Sequence, residues 1–188
     1  MNKLIKSSDY KSMPWKNGEG VTNEIEIYPP NSDFSKNDFD FRVSSALVRA
    51  PSAFSKFPGF DRILAVWQGD GLVINNVRYE PLQPFSFAGE KEIFSTSAGE
   101  VVDLGIIYNR EKYVAYMDLE TFAADVTDTL QFGEGWFYLF CCKGSLTIDD
   151  QSVETGDTFK VTGSRDIRIR ARSASKLLII SVNRRNLE

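Results

Sequence analysis

Short stretches that alternate apolar with polar residues, or run apolar throughout, recur along this chain, and nothing else in it limits the fold as strongly. They cover Val21 to Tyr28, Phe39 to Val48, Arg62 to Trp67, Leu72 to Val77, Trp136 to Cys142, Ser145 to Ile148, Thr158 to Val161, Ile167 to Ala171 and Leu177 to Val182. A period of two sends successive side chains to opposite faces of a strand. Between them lie Gly69-Asp70-Gly71, Asn75-Asn76, Lys143-Gly144-Ser145, Asp149-Asp150 and Thr155-Gly156-Asp157, residues that turn the chain sharply. Many short strands joined by such turns predict an antiparallel sandwich or barrel, and no long amphipathic helical pattern competes.

A faint repeat at a constant offset of 74 residues favours duplication over chance similarity between two generic hairpins. Leu72-Val73-Ile74-Asn75-Asn76, with Phe85 and Gly89 downstream, aligns without a gap to Leu146-Thr147-Ile148-Asp149-Asp150, with Phe159 and Gly163. Gly144-Ser145-Leu146-Thr147-Ile148 followed by Val153-Glu154-Thr155-Gly156-Asp157-Thr158-Phe159 resembles the strand and Gly-Asp turn of cupin barrels. The expected fold is therefore all-β: a bicupin, two cupin-like jelly-roll β-barrel lobes in one unit of 188 residues. The lobes span about residues 10–108 and 113–184, joined at Asn109-Arg110-Glu111-Lys112, with strand pairing expected to cross between the halves.

The chain contains no histidine, which excludes Ser-His-Asp and Cys-His nucleophilic systems and every imidazole-ligated metal. Acidic residues show no spacing suited to a hard cation, so no metal and no cofactor are expected. Cys141 and Cys142 are adjacent and point to opposite strand faces, reading as small buried hydrophobes. A net charge of −4 argues against nucleic acid as a partner. The arginines of Arg165 to Arg172 alternate with Ile167, Ile169 and Ala171, as on a solvated outer sheet face. The N-terminus lacks the apolar core of a secretory signal and no run approaches about 18 apolar residues, so a cytoplasmic protein away from membranes is expected. A homodimer is compatible with the sequence, which fixes no symmetry.

Met13 to Ile25 sets Trp15, Lys16, Asn17, Gly18 and Gly20 directly ahead of a strand. Glycines let the backbone turn through positive φ, while Trp15, Lys16 and Asn17 offer an apolar wall, a cation and a two-sided hydrogen-bonder. This reads either as a pocket-lining loop or as a turn with Trp15 plugging the core.

Three segments in order resemble the HutD/Ves family of bicupins. Pro14-Trp15-Lys16-Asn17-Gly18 with Gly20-Val21-Thr22 resembles its W-x-N-G-G-G-x-T signature. Phe41-Arg42-Val43-Ser44 resembles W-R-V-S, and Phe54 to Arg62 resembles F-S-x-F-P-G-x-D-R. Phe87-Ala88-Gly89-Glu90 followed by Asp103-Leu104 resembles F-x-G-(D/E) and D-(F/L)-N. The likeness is clear over about residues 10–110. Departures are Glu19 for the middle glycine, Phe41 for Trp, Ser52-Ala53 for Gly-Pro, and Gly105 where an asparagine is expected; the last two bear on ligand choice. The resemblance implies a two-lobed cytoplasmic bacterial protein without the cupin metal centre. Members in histidine-utilisation gene clusters look like regulators or sensors, and Ves-type members are linked to stress or cold response.

The candidate pocket set is Trp15, Lys16, Asn17, Thr22, Glu24, Arg42, Ser44, Ser55 and Arg62. Alternation puts Thr22, Glu24 and Glu26 on one face of the first strand, and Arg42 with Ser44 on one face of the next. Glu24 and Arg42 on adjacent strands would form a charge-assisted pair, either at a pocket floor or as a structural bridge. Arg62 begins a strand at the rim, where it could grip a carboxylate, with Asp61 neutralising it or capping the turn. Three cations against Glu24 suit an anionic or zwitterionic metabolite, such as an amino-acid catabolite, bound for a regulatory or sensing role. The alternatives are a cofactor-free isomerase, epimerase or lyase with Glu24 or Lys16 as base and Tyr28 as acid, or an interaction module presenting Phe54, Phe57 and Phe60.

Overall fold

The computed structural model describes residues 2–15 and 17–185, and no α-helix occurs among them. Two compact units divide the chain, one joining the residues up to Tyr10 to those from Ala115 onward, the other running from Lys11 to Val114. After β1 (Lys3–Ile5) come β2 (Lys11–Pro14), β3 (Gly20–Tyr28), β4 (Phe41–Val48), β5 (Ser52–Ala53), β6 (Phe60–Gln68), β7 (Leu72–Ile74), β8 (Val77–Tyr79), β9 (Phe85–Ala88), β10 (Phe94–Thr96) and β11 (Val101–Asn109). The remaining strands are β12 (Tyr113–Phe122), β13 (Thr127–Phe132), β14 (Trp136–Lys143), β15 (Ser145–Ile148), β16 (Gln151–Glu154), β17 (Thr158–Thr162), β18 (Arg165–Ala171) and β19 (Ser175–Arg184).

Each unit holds two sheets. In the Lys11–Val114 unit their orders are β2-β3-β4-β11-β6-β9 and β5-β10-β7-β8. In the other they are β1-β17-β14-β19-β12 and β13-β18-β15-β16. Setting β4 to β11 against β12 to β19, strand for strand, superposes these orders: β4-β11-β6-β9 matches β12-β19-β14-β17, and β5-β10-β7-β8 matches β13-β18-β15-β16. Among the described residues the two sheets of a unit share no ladder, so the expected barrel closure is not seen and each unit is an open sandwich. Residues from both sheets meet in one core in each case, as two half-apolar sheets must to hide their inner faces.

Two hairpin turns are alike at atomic detail. The expected strand over Leu72 to Val77 breaks after Ile74, because Asn75 and Asn76 both take positive φ (47° and 69°) and return the chain as β8. Asp149 and Asp150 do the same (44° and 63°) between β15 and β16. Ile74 pairs with Val77, and Ile148 with Gln151, across two-residue loops whose left-handed residues give a twist that matches the right-handed twist of the strands.

The two interiors differ. In the unit holding β12 to β19 the core is apolar, with Leu139, Leu146, Ile148, Phe159, Val161, Ile167, Ile169 and Leu177 fully enclosed. Cys141 belongs to it, both cysteines are free thiols, and burial raises them to about 11 and 12. Arg168 and Arg170 stand exposed on the outer face while Ile167 and Ile169 point inward, and Arg165 is exposed at the start of the strand opposite Phe132. In the Lys11–Val114 unit, the inner face of the six-stranded sheet is polar over much of its area. Among the described residues no helix is long and apolar enough to cross a membrane.

Candidate functional site

Strand register builds the site, since residues directly opposite in an antiparallel ladder share a face. Arg42 on β4 and Arg62 on β6 both pair with Ile107 on the intervening β11, so the two guanidinium-bearing side chains flank one rung. The next rung sets Glu24, Ser44, Gly105 and Leu64 in a row, and the one after it Thr22, Ala46, Asp103 and Val66. These rows face a cavity of about 880 Å³ inside the Lys11–Val114 unit, a size suited to a small metabolite.

Of the sequence-predicted residues, Trp15, Asn17, Thr22, Arg42, Ser44, Ser55 and Arg62 line this cavity. Lys16 lies outside the described residues. Glu24 is on the inner face but sits beneath the lining, where its Oε2 accepts a 2.7 Å hydrogen bond from Arg42 Nε. Glu26 does not join it. The register slips between Glu24 and Glu26, where Ile25 forms a bulge, so Glu26 pairs with Val43 on the opposite face and Ile27 takes the place alternation assigned to it.

Arg42 is heavily committed. Its side chain is 4% exposed, bonded to Glu24, capped by the Phe34 ring 3.9 Å from the guanidinium carbon, and approached by Met13 Sδ. Burial lowers its pKa and Glu24 opposes that shift. Arg62 is held more loosely. The rings of Phe54, Phe87 and Phe57 surround its guanidinium at 4.9, 5.3 and 5.8 Å, and Nη1 donates a long 3.3 Å bond to the Ser55 carbonyl. Ser55 thus contributes its backbone. Arg62 makes no ion pair among the described residues, and five donors on a planar fork suit a carboxylate. Burial brings it down to about 10, so it stays charged at neutral pH.

Asp61 does not neutralise Arg62; it turns to the other face and forms an ion pair with Arg110, its Oδ1 3.1 Å from Nε. The acid that Arg62 senses is Asp103, which the sequence reading left out of the pocket although the Asp103-Leu104 segment had marked it. Burial pushes the Asp103 carboxyl up to about 7, with Arg62 and the Ala46 backbone N–H pulling the other way. Phe34, Phe54 and Phe94 also line the cavity and were missed as walls.

Trp15 settles between its two readings by being both. It packs against the Val48 and Leu72 cluster, lines the cavity, and donates Nε1–H to Thr22 Oγ1 at 2.8 Å. Gly18 turns with φ 75°, whereas Gly20 is needed for space: an added Cβ would come within 2.7 Å of the Trp15 ring. Asn17 shapes the loop, accepting the Glu19 N–H and donating to the Glu19 carboxylate at 2.7 Å. Phe57 and Phe60 are buried, so they form no exposed interface with Phe54. Tyr28 stacks on Phe41 on the opposite face of the sheet, away from the cavity.

A family model for HutD matches residues 7–179. An uncharacterised 21.2 kDa protein in the hutC 3′ region of Pseudomonas putida is 36% identical over 118 residues, a match covering 60% of each chain. Protein Ves of Citrobacter koseri is 31% identical over 153 residues, 76% of this chain and 75% of Ves. The solved structure of HutD from Pseudomonas fluorescens, obtained in a formate condition, superposes with a TM-score of 0.81 at 25% identity, covering 99% of this chain and 100% of that one. Solved cupin-like proteins of much lower identity share the all-β fold alone.

Proposed function

Because this chain belongs to the HutD family, we propose that the cavity of its Lys11–Val114 unit binds a small anionic or zwitterionic metabolite, of the kind produced in amino-acid breakdown, and that the protein regulates or senses through that binding. Arg62 carries the reading: a guanidinium caged by aromatic faces, without an ion pair among the described residues, lining a cavity. Arg42 supports it from below as a structural cation, and Trp15, Phe34 and Phe54 supply walls for an apolar or planar body. We also propose that the two units are the cupin-like lobes of a bicupin. The matched eight-strand order and the twin Asx hairpins support that origin, with one lobe keeping an apolar core and the other a binding cavity.

A cofactor-free enzyme is the second reading, and Asp103 favours it, since a cavity carboxyl poised near neutrality suits a general base. Glu24, locked on Arg42, and Tyr28, on the far face, do not suit the parts first assigned to them. Turnover lost in Asp103→Asn would support this reading; turnover retained there would end it.

The test is a thermal-shift screen against histidine, urocanate, formiminoglutamate, glutamate and small organic acids, repeated on Arg62→Met. A ligand at about 100 times its dissociation constant stabilises by about 2.7 kcal/mol, a shift of roughly 5–10 °C here. A hit lost in Arg62→Met supports the proposal, and a panel without shifts overturns it.

A further inference from the structure

One strand of the cavity wall carries three inward positions of unlike chemistry. Along β11 these are Ile107, Gly105 and Asp103, each about 6.7 Å from the next along the strand. Ile107 lies between Arg42 and Arg62, and Asp103 lies between Ala46 and Val66. One end of the wall is therefore cationic and the other acidic. Gly105 between them offers bare backbone.

That glycine is not demanded by the chain's conformation. Its φ lies outside the left-handed region, and a glycine inside a strand weakens it, so its presence points to something passing close by. An added Cβ would stand 3.3 Å from the Ile63 carbonyl and Leu64 Cβ, which is tight without being closed. Inward of Gly105, cavity lies where a side chain would otherwise project. The charged groups facing Asp103 from the packed strands are Arg62 on β6 and, farther off, Arg42 bound to Glu24.

Resting on the metabolite-binding reading, we propose that the ligand lies along β11 across Gly105, its carboxylate on Arg62 and a cationic or N–H-donating nitrogen on Asp103. The substrate class is then an elongated amino or imino acid with its nitrogen remote from the carboxylate. A short monoacid would fill the Arg62 end alone, and a diacid of matching length would set its second carboxylate against Asp103.

Three planar probes of one size separate these cases: para-(aminomethyl)benzoate, para-toluate and terephthalate, titrated calorimetrically into the full chain at pH 8, where Asp103 is ionised. The aminomethyl probe is expected to bind at least about tenfold tighter than para-toluate, the ratio a charge-assisted hydrogen bond produces, with terephthalate weakest. Asp103→Asn, nearly isosteric, is expected to erase the preference while para-toluate still binds. Gly105→Val is expected to weaken the longer probes and spare acetate. Equal binding of the aminomethyl and methyl probes, or a preference that survives Asp103→Asn, overturns the proposal. If para-toluate binds through Arg62 in that case, the metabolite reading stands without it. If none of the acids binds, both fall.

Discussion

Removing the Glu24 carboxylate would strand a guanidinium that is 4% exposed, and an uncompensated buried charge is among the costliest single changes a fold meets. Glu24→Ala is expected to cost about 3–5 kcal/mol, lowering Tm by roughly 10 °C in calorimetry. Arg42→Ala would be similarly damaging, which makes it a poor probe of binding. Arg62→Met, which breaks no ion pair among the described residues, is expected to leave Tm within a few degrees. Asp103 gives a prediction with a sign. Its folded pKa, about 7, lies above the ordinary carboxylate value near 3.9, so the folded state binds the extra proton between those limits. The stability it contributes is present below about pH 4 and is lost as pH rises to about 7. Asp103→Asn should therefore gain in Tm relative to the parent as pH increases from 4 to 8; a constant difference across that range would contradict the assignment. Arg42 was legible as a pocket residue from its place in an alternating strand, and Arg62 from the Pro58-Gly59-Phe60-Asp61 turn that precedes it. That Arg62 faces the field of Asp103 and not of Asp61 was not legible, because it depends on the pairing of β6 with β11.

Alternation marked the well-patterned strands such as β3 and β18, and a continuous apolar run marked β14. It passed over β11, whose inner face carries Asp103 and Gly105 where an apolar residue would have signalled a strand. It also misplaced Glu26, since Val21 to Tyr28 alternates smoothly across the Ile25 bulge and only pairing with β4 reveals the slip. Short edge elements such as β5 and β10 have too few residues to show a period. The hairpins were legible because their turn residues are chemically specific. Asn76 and Asp150 occupy equivalent positions with φ 69° and 63°. Asn76→Val and Asp150→Val are each expected to cost about 1–2 kcal/mol in denaturant unfolding, whereas Gly at either position should be tolerated or mildly stabilising. A Val substitution without cost at either turn would contradict the positive-φ geometry.

At the scale of the whole chain, one strand plan appears in both units and serves two ends. Predominantly apolar inner faces leave the unit of β12 to β19 with a continuous hydrophobic core. In the Lys11–Val114 unit, Arg42, Ser44, Asp103 and Arg62 stand on the inner face, held by Glu24, the Ala46 backbone and the aromatic cage. The repeat at the hairpins was visible in the sequence, while the assignment of residues up to Tyr10 to the unit beginning at Ala115 was not, since three residues of β1 carry no pattern that names their partner β17. Polar inner positions weaken a core, so their retention in one unit alone is what a binding role predicts. The most direct test is a residue-resolved NMR titration of the 188-residue chain with para-toluate. Shifts concentrated on Ser44, Ala46, Asp103 and Gly105, with the Ser145–Glu154 hairpin unmoved, are the predicted result. Shifts centred on the β12 to β19 unit, or none at saturating acid, would contradict the account.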